Sequence, residues 1–178
     1  MLNHHRGLWG YTGTASDGAP LTIQSTGLGG PSTAIVVEEL IALGARRLVR
    51  VGTCAAIADL PLGSLVIAET VLAEDGASRA LGAGTPDPDL VAALRAAGGD
   101  ATAGPVLSAD LYYGPRPDGD ALAVDLSSGA LLAVAARHGV QAAGVLVVTE
   151  SPAGRIDPEA LERAEVELGR VGAAALGA

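Results

Sequence analysis

Apolar positions along this chain come in short runs that switch between two periods. Leu8-Trp9-Gly10-Tyr11-Thr12 and Leu21-Thr22-Ile23-Gln24 have strand composition and flank the turn signal Ser16-Asp17-Gly18. Residues 7–25 therefore predict a hairpin. Past Thr26-Gly27-Leu28-Gly29-Gly30-Pro31-Ser32 the spacing lengthens, and Ile35, Val36, Leu40 and Leu43 recur at helical intervals. Pro31 and Ser32 suit the first helical positions and Gly44 suits the stop. Arg46–Thr53 returns to a strand. Ser64–Glu69 predicts another, after the Pro61-Leu62-Gly63 turn, running on towards Glu74-Asp75-Gly76.

The second half repeats the alternation. Thr85-Pro86-Asp87-Pro88 caps a helix that ends at Ala97 before Gly98-Gly99. Residues 101–107 predict a strand delivering Ser108-Ala109-Asp110-Leu111-Tyr112-Tyr113, and Gly114–Asp120 is a polar loop. A helix follows over Ser127–His138, stopped by Gly139, then the most continuous apolar strand, Ala142–Thr149. Asp157-Pro158-Glu159 opens a final helix towards Ala175.

Strands alternating with helices across short connections predict an α/β fold: three layers, a mixed and mainly parallel sheet, helices on both faces. At 178 residues, one domain over 1–178 is expected. Phe is absent and Trp occurs once, so the core must be built from Val, Leu, Ile and Ala. In such a sheet ligands gather at the carboxyl ends of strands. Thr26–Gly30, Gly52-Thr53, Asp110–Tyr113 and Thr149-Glu150 all fall at predicted strand ends.

Charge narrows the partners. Twenty acids against eleven bases give a net −9, a surface that repels nucleic acid and anionic membranes. Every base is arginine, which excludes a P-loop lysine and a lysine Schiff base. Cys54 is the one cysteine, so no disulfide forms within the chain. No apolar run approaches a membrane span and Met1–Arg6 lacks a signal-peptide core, so a soluble, cytoplasmic protein is expected.

Arg50 is the residue of greatest chemical interest. A guanidinium embedded among aliphatic strand residues needs an anionic partner. Two readings stand: an oxyanion pocket with Gly52 and Thr53 as its wall, or an arginine at a strand edge whose head reaches solvent or pairs with a core carboxylate. The Gly-rich turn at Gly27 offers free N–H groups at a helix start, or is simply a tight turn. Its spacing fails the dinucleotide fingerprint at Ser32. Tyr112 and Tyr113 are candidates to stack on a planar ligand, or else pack inward. Glu150, ending a buried strand, is a general-acid candidate or a solvated rim carboxylate. His4 and His5 lack a carboxylate at ligand spacing, so no metal site is expected. Cys54 reads as a small buried thiol and His138 as a helix C-terminal charge.

In series, Thr26–Ser32, Glu38-Glu39-Leu40, Arg50-Val-Gly-Thr-Cys54 and Ser108–Tyr113 resemble the nucleoside phosphorylase family, closest to its hexameric purine nucleoside and uridine phosphorylase branch. That resemblance implies phosphorolysis of an N-glycosidic bond to free base and pentose 1-phosphate, with inorganic phosphate as co-substrate and no cofactor. It implies that Arg50 and Thr53, with Gly27, bind phosphate and that Arg6 reaches into a neighbouring subunit. Tyr112, Leu28, Leu126 and Ser127 would contact the nucleoside. Glu150 would protonate the leaving base with Arg163 as its helix partner. Three departures stand out. The family's opening strand and Gly-Asp loop have no counterpart here, Ser127 replaces a ribose-binding Glu, and Ala55 replaces a Gly. A degenerate nucleoside-binding or assembly subunit, and a hydrolytic nucleosidase, are the alternative expectations.

Overall fold

The computed structural model describes residues 2, 4–15, 17–114 and 119–177. In order these form β1 (Gly10–Thr14), β2 (Pro20–Gln24), α1 (Gly29–Ala42), β3 (Arg47–Ala56), β4 (Leu65–Ala73), α2 (Gly76–Leu81), α3 (Pro88–Gly98), β5 (Thr102–Ser108), β6 (Ala123–Asp125), α4 (Ser128–His138), β7 (Gln141–Ser151), β8 (Gly154–Arg155) and α5 (Pro158–Leu176). A 3-10 turn at His5–Gly7 precedes them.

Local chemistry explains most boundaries. Asp87 accepts the N–H groups of Asp89 and Leu90, with Pro88 as the first helical residue of α3. Asp157 does the same for Ala160 at α5, and Gly139 ends α4 in the left-handed conformation. At α1 the expectation needs correcting. The helix starts two residues before Pro31, and the Ser32 hydroxyl turns back to the Thr26 carbonyl at 2.6 Å instead of capping. Helix α2 is unforeseen: Asp75, towards which the Ser64–Glu69 strand was expected to run, is fully buried and caps α2 through the Ser78 N–H and hydroxyl. Part of the expected polar loop, residues 115–118, and Ser16 of the hairpin turn lie outside the described residues.

β1 and β2 form the expected hairpin as a separate two-stranded sheet. The larger sheet is mixed. β3/β7, β4/β5 and β5/β6 are parallel, while β3/β6, β4/β7 and β7/β8 are antiparallel. The order β3-β6-β5-β4-β7 returns to β3, so five strands close into a ring rather than lying as an open layer. Register shifts at Cys54/Ala55 and between Ala68 and Thr70 accompany that curl.

Alternation along the strands sends side chains to different packing clusters. Leu65, Ile67, Val145 and Val147 pack under α3 and α5. Their neighbours Val66, Ala68, Leu146 and Val148 pack with Cys54, Val106 and Ala123, strand against strand. A third cluster joins α1 to α4 through Val37, Ile41, Leu131 and Val134. Among the described residues no helix is long and apolar enough to cross a membrane.

Candidate active site

β3 delivers Arg50 into a partner-rich corner. Its Nε donates to Asp125 Oδ2 at 2.9 Å, with the arginine side chain 17% exposed and the carboxylate fully buried. Asp125, at the end of β6, also accepts the Ser128 N–H at 3.1 Å and the Ser128 hydroxyl at 2.8 Å. One carboxylate thus starts α4 and fixes the guanidinium. The guanidinium lies over Gly52: a Cβ there would stand 2.8 Å from Nη2 and 3.1 Å from Nη1. Gly52 is therefore needed by Arg50 itself, not only by an approaching ligand. The pairing with a core carboxylate is what the structure shows. The core carboxylate takes Nε, and among the described residues Nη1 and Nη2 have no hydrogen-bond partner.

Arg50 opens on a cavity of about 480 Å³ that Thr53, Gly27, Leu28 and Thr33 also line. Thr53 is exposed. Gly27 holds a φ of +74°, which only glycine adopts freely, and turns the chain into α1. Leu28 follows with its side chain almost fully exposed. The Thr33 hydroxyl is buried and has no hydrogen-bond partner among the described residues.

Glu150 stands in register with Ala55, two residues beyond Thr53, at the carboxyl end of the parallel β3/β7 pair. Its Oε1 accepts the Tyr112 hydroxyl at 2.6 Å and pairs with Arg155 Nη2 at 3.0 Å. The bond to Glu150 pushes the Tyr112 hydroxyl above the ordinary tyrosine range, with burial adding less. Tyr113 packs edge-on against Tyr112, ring centres 4.8 Å apart. Neither tyrosine packs inward; both are exposed.

Other expected site residues lie elsewhere. Arg155, across the tight β7–β8 turn, is the arginine paired with Glu150; Arg163 is exposed on α5. Arg6 lies 3.6 Å from Glu39 and lines a different cavity, of about 530 Å³. Ser127 is buried at the start of α4, and Leu126 is half-buried beside it; neither lines the Arg50 cavity. Burial, with Asp125 adding to it against Arg50, pushes the Cys54 thiol up to about 12. It is no nucleophile at neutral pH. His138 meets Glu38 at 2.6 Å, an exposed contact at the expected helix end. Among the described residues no three His, Cys, Asp or Glu side chains converge as metal ligands.

A model of the phosphorylase superfamily matches residues 2–177. The chain belongs to that superfamily. Among its relatives, a DeoD-type purine nucleoside phosphorylase of Bacillus cereus (strain B4264) is 37% identical over 166 residues, covering 83% of this chain and 70% of that protein. A guanosine phosphorylase of Halorubrum lacusprofundi is 34% identical over 148 residues, covering 74% of this chain and 61% of its own length. A DeoD-type purine nucleoside phosphorylase of Bacillus thuringiensis (strain Al Hakam) is 36% identical over 166 residues. The superfamily chain thus spans about two thirds of such relatives.

Two residues of the superfamily chain's site escaped sequence reasoning. Asp125 was visible as a lone acid in an apolar strand, which needs a cationic partner as much as Arg50 needs an anionic one. Arg155 was signalled by Ser151-Pro152-Ala153-Gly154, a turn that sends the chain back beside Glu150.

Proposed function

We propose that this chain carries out phosphorolysis of a purine nucleoside, giving free base and pentose 1-phosphate. The observation that carries the reading is the Arg50 guanidinium. It is locked at Nε by Asp125, its Nη groups have no partner among the described residues, and Arg50 lines a cavity shared with Thr53. An oxyanion there would take charge-assisted hydrogen bonds from Nη1 and Nη2 and a neutral one from Thr53. The start of α1 at Gly27 and Leu28 adds favourable dipole potential.

Phosphate oxygen attacks the anomeric carbon as the bond to the base nitrogen breaks, through an oxocarbenium-like sugar. The dianion stabilises the positive charge on that sugar, and Glu150, once it has taken a proton from solvent and turned from Tyr112 and Arg155 to the base, is the group we assign to protonate the departing base. The exposed Tyr112 ring remains open to stack on the base. Purine is favoured because the similar proteins carry purine and guanosine names. The active form we propose is an oligomer in which Arg6, outside this chain's own Arg50 cavity, serves a neighbour. A non-catalytic nucleoside-binding role is the second reading, favoured by one feature: Ser127 is buried at the α4 start and offers the cavity nothing.

Release of base from guanosine or inosine, followed by absorbance with and without phosphate, tests the proposal. Phosphate-dependent release, lowered about 10²–10³-fold in Arg50→Gln, is expected. Equal release without phosphate means hydrolysis. Nucleoside binding with no turnover means the second reading.

A further inference from the structure

With the base placed beside Glu150 by the phosphorolysis reading, on which this rests, we propose that Arg155 is a specificity-determining residue. Its guanidinium donates to O6 of a 6-oxopurine, so that guanosine- and inosine-type nucleosides are taken in preference to adenosine. The backbone fixes where Arg155 stands. β7 turns back through Ser151–Gly154, with Glu150 opposite Arg155 and Ser151 opposite Gly154. The Ser151 hydroxyl accepts the Ala153 N–H inside the turn, and the Ile156 N–H donates to the Thr149 carbonyl beyond it. Directly opposed residues of an antiparallel pair keep their side chains on one face. Arg155 Nη2 accordingly lies 3.0 Å from Glu150 Oε1, and a hydrogen-bond donor stands beside a carboxyl group.

Free donors are scarce around that carboxyl. The Tyr112 hydroxyl commits its proton to Glu150, and the Thr149 hydroxyl commits its own to the Cys54 carbonyl. Arg155 is different. Its side chain is 68% exposed, and among the described residues it pairs with Glu150 alone, leaving most of its N–H donors unused. A purine carries N7 and its C6 substituent side by side on one edge. In guanine that substituent is O6, an acceptor; in adenine it is an amino group, a donor. With N7 facing the Glu150 carboxyl, the C6 substituent falls to Arg155. O6 accepts from the guanidinium, whereas an amino group sets donor against donor. A guanidinium cannot lose a proton to become the acceptor.

The same contact acts on the departing base. When Glu150 has taken up a proton and turned to N7, Arg155 loses its anionic partner. The electron pair of the breaking glycosidic bond passes to the base, and a 6-oxopurine spreads that negative charge onto O6. Arg155 meets it there with a charge-assisted hydrogen bond. Adenine has no oxygen at that position.

Phosphate-dependent release of base from inosine, adenosine and purine riboside, which carries only hydrogen at C6, tests the proposal. The wild-type chain should favour inosine over adenosine at least about tenfold in kcat/KM. Arg155→Met should lose about 10–100-fold more on inosine than on purine riboside. Equal losses on all three nucleosides would mean that Arg155 only steadies Glu150, and would overturn the proposal. So would a wild-type preference for adenosine, or a loss confined to inosine in Arg163→Met rather than in Arg155→Met. If the wild-type chain releases no base, the phosphorolysis reading falls and calorimetry with free bases decides this one. Hypoxanthine binding weakened at least about tenfold in Arg155→Met, with purine binding unchanged, upholds it. Equal weakening of both, or no binding of either to the wild-type chain, overturns it.

Discussion

Arg50, Gly52 and Asp125 form a unit in which each residue type depends on the others. The guanidinium occupies the space a Gly52 side chain would fill, and Asp125 is fully buried with its charge answered by Arg50 and by the Ser128 donors. Removing one member leaves a charge that burial makes costly. Asp125→Ala should lower unfolding free energy by about 3–5 kcal/mol in urea titration. Arg50→Met with Asp125→Asn should cost less than Asp125→Ala, because no buried charge remains unpaired. A double variant as damaged as the single one would show that packing, not charge, dominates this corner.

Tyr112 offers a second measurement at the residue scale. Its hydroxyl donates to Glu150, and that bond raises its pKa. The folded chain holds this proton more tightly than the unfolded one. The contact therefore contributes fully below the unfolded tyrosine value of about 10 and fades as pH climbs past it. Among the three tyrosines, one should ionise late in a phenolate absorbance titration. Glu150→Gln should return it towards the others. An unchanged titration would mean the hydroxyl is not held by Glu150 in solution.

At the scale of elements, helix ends carry chemistry that reads directly from the chain, and they differ in how much each cap does. Asp87 accepts two backbone N–H groups and the Gln141 side-chain amide, so it ties α3 to the start of β7. Asp157 accepts one. Asp87→Ala should therefore cost more than Asp157→Ala, towards about 2 kcal/mol against about 1 kcal/mol, read from thermal or urea unfolding. Equal losses would mean that the link to β7 contributes nothing. The Asp-Pro pairs at these two helices were legible because capping is local. Asp75 was not, because its role depends on burial beneath elements distant in sequence, including Gly129 of α4. β6 and β8 escaped for a related reason: at three and two residues they carry no period. The site divides the same way. Arg50, Thr53, Gly27 and Leu28 share a cavity as their motifs implied, whereas Arg155 reaches Glu150 through a register that only the β7–β8 turn sets.

For the molecule as a whole, alternation of strands and helices predicted the mixed α/β class but not that β3 finds two neighbours and closes the ring. Register places Thr53 and Glu150 towards the carboxyl end of the β3/β7 pair and Arg50 nearer its start, opposite Gly144, inside a field that the chain's net −9 makes hostile to a phosphate dianion. The local charge does little to offset this, because Asp125 neutralises Arg50 at close range. Long-range repulsion is screened by salt while the short contacts to Nη1, Nη2 and Thr53 are not. The Debye length falls from about 30 Å at 0.01 M to about 10 Å at 0.1 M salt. Phosphate affinity should therefore improve by roughly twofold over that range, before competing anions occupy Arg50 at higher salt. Phosphate KM, or calorimetric phosphate binding if turnover is absent, gives the answer. A steady weakening from the lowest salt upward would mean that the dianion meets a positive local field, with arginines from neighbouring copies outweighing the acidic surface.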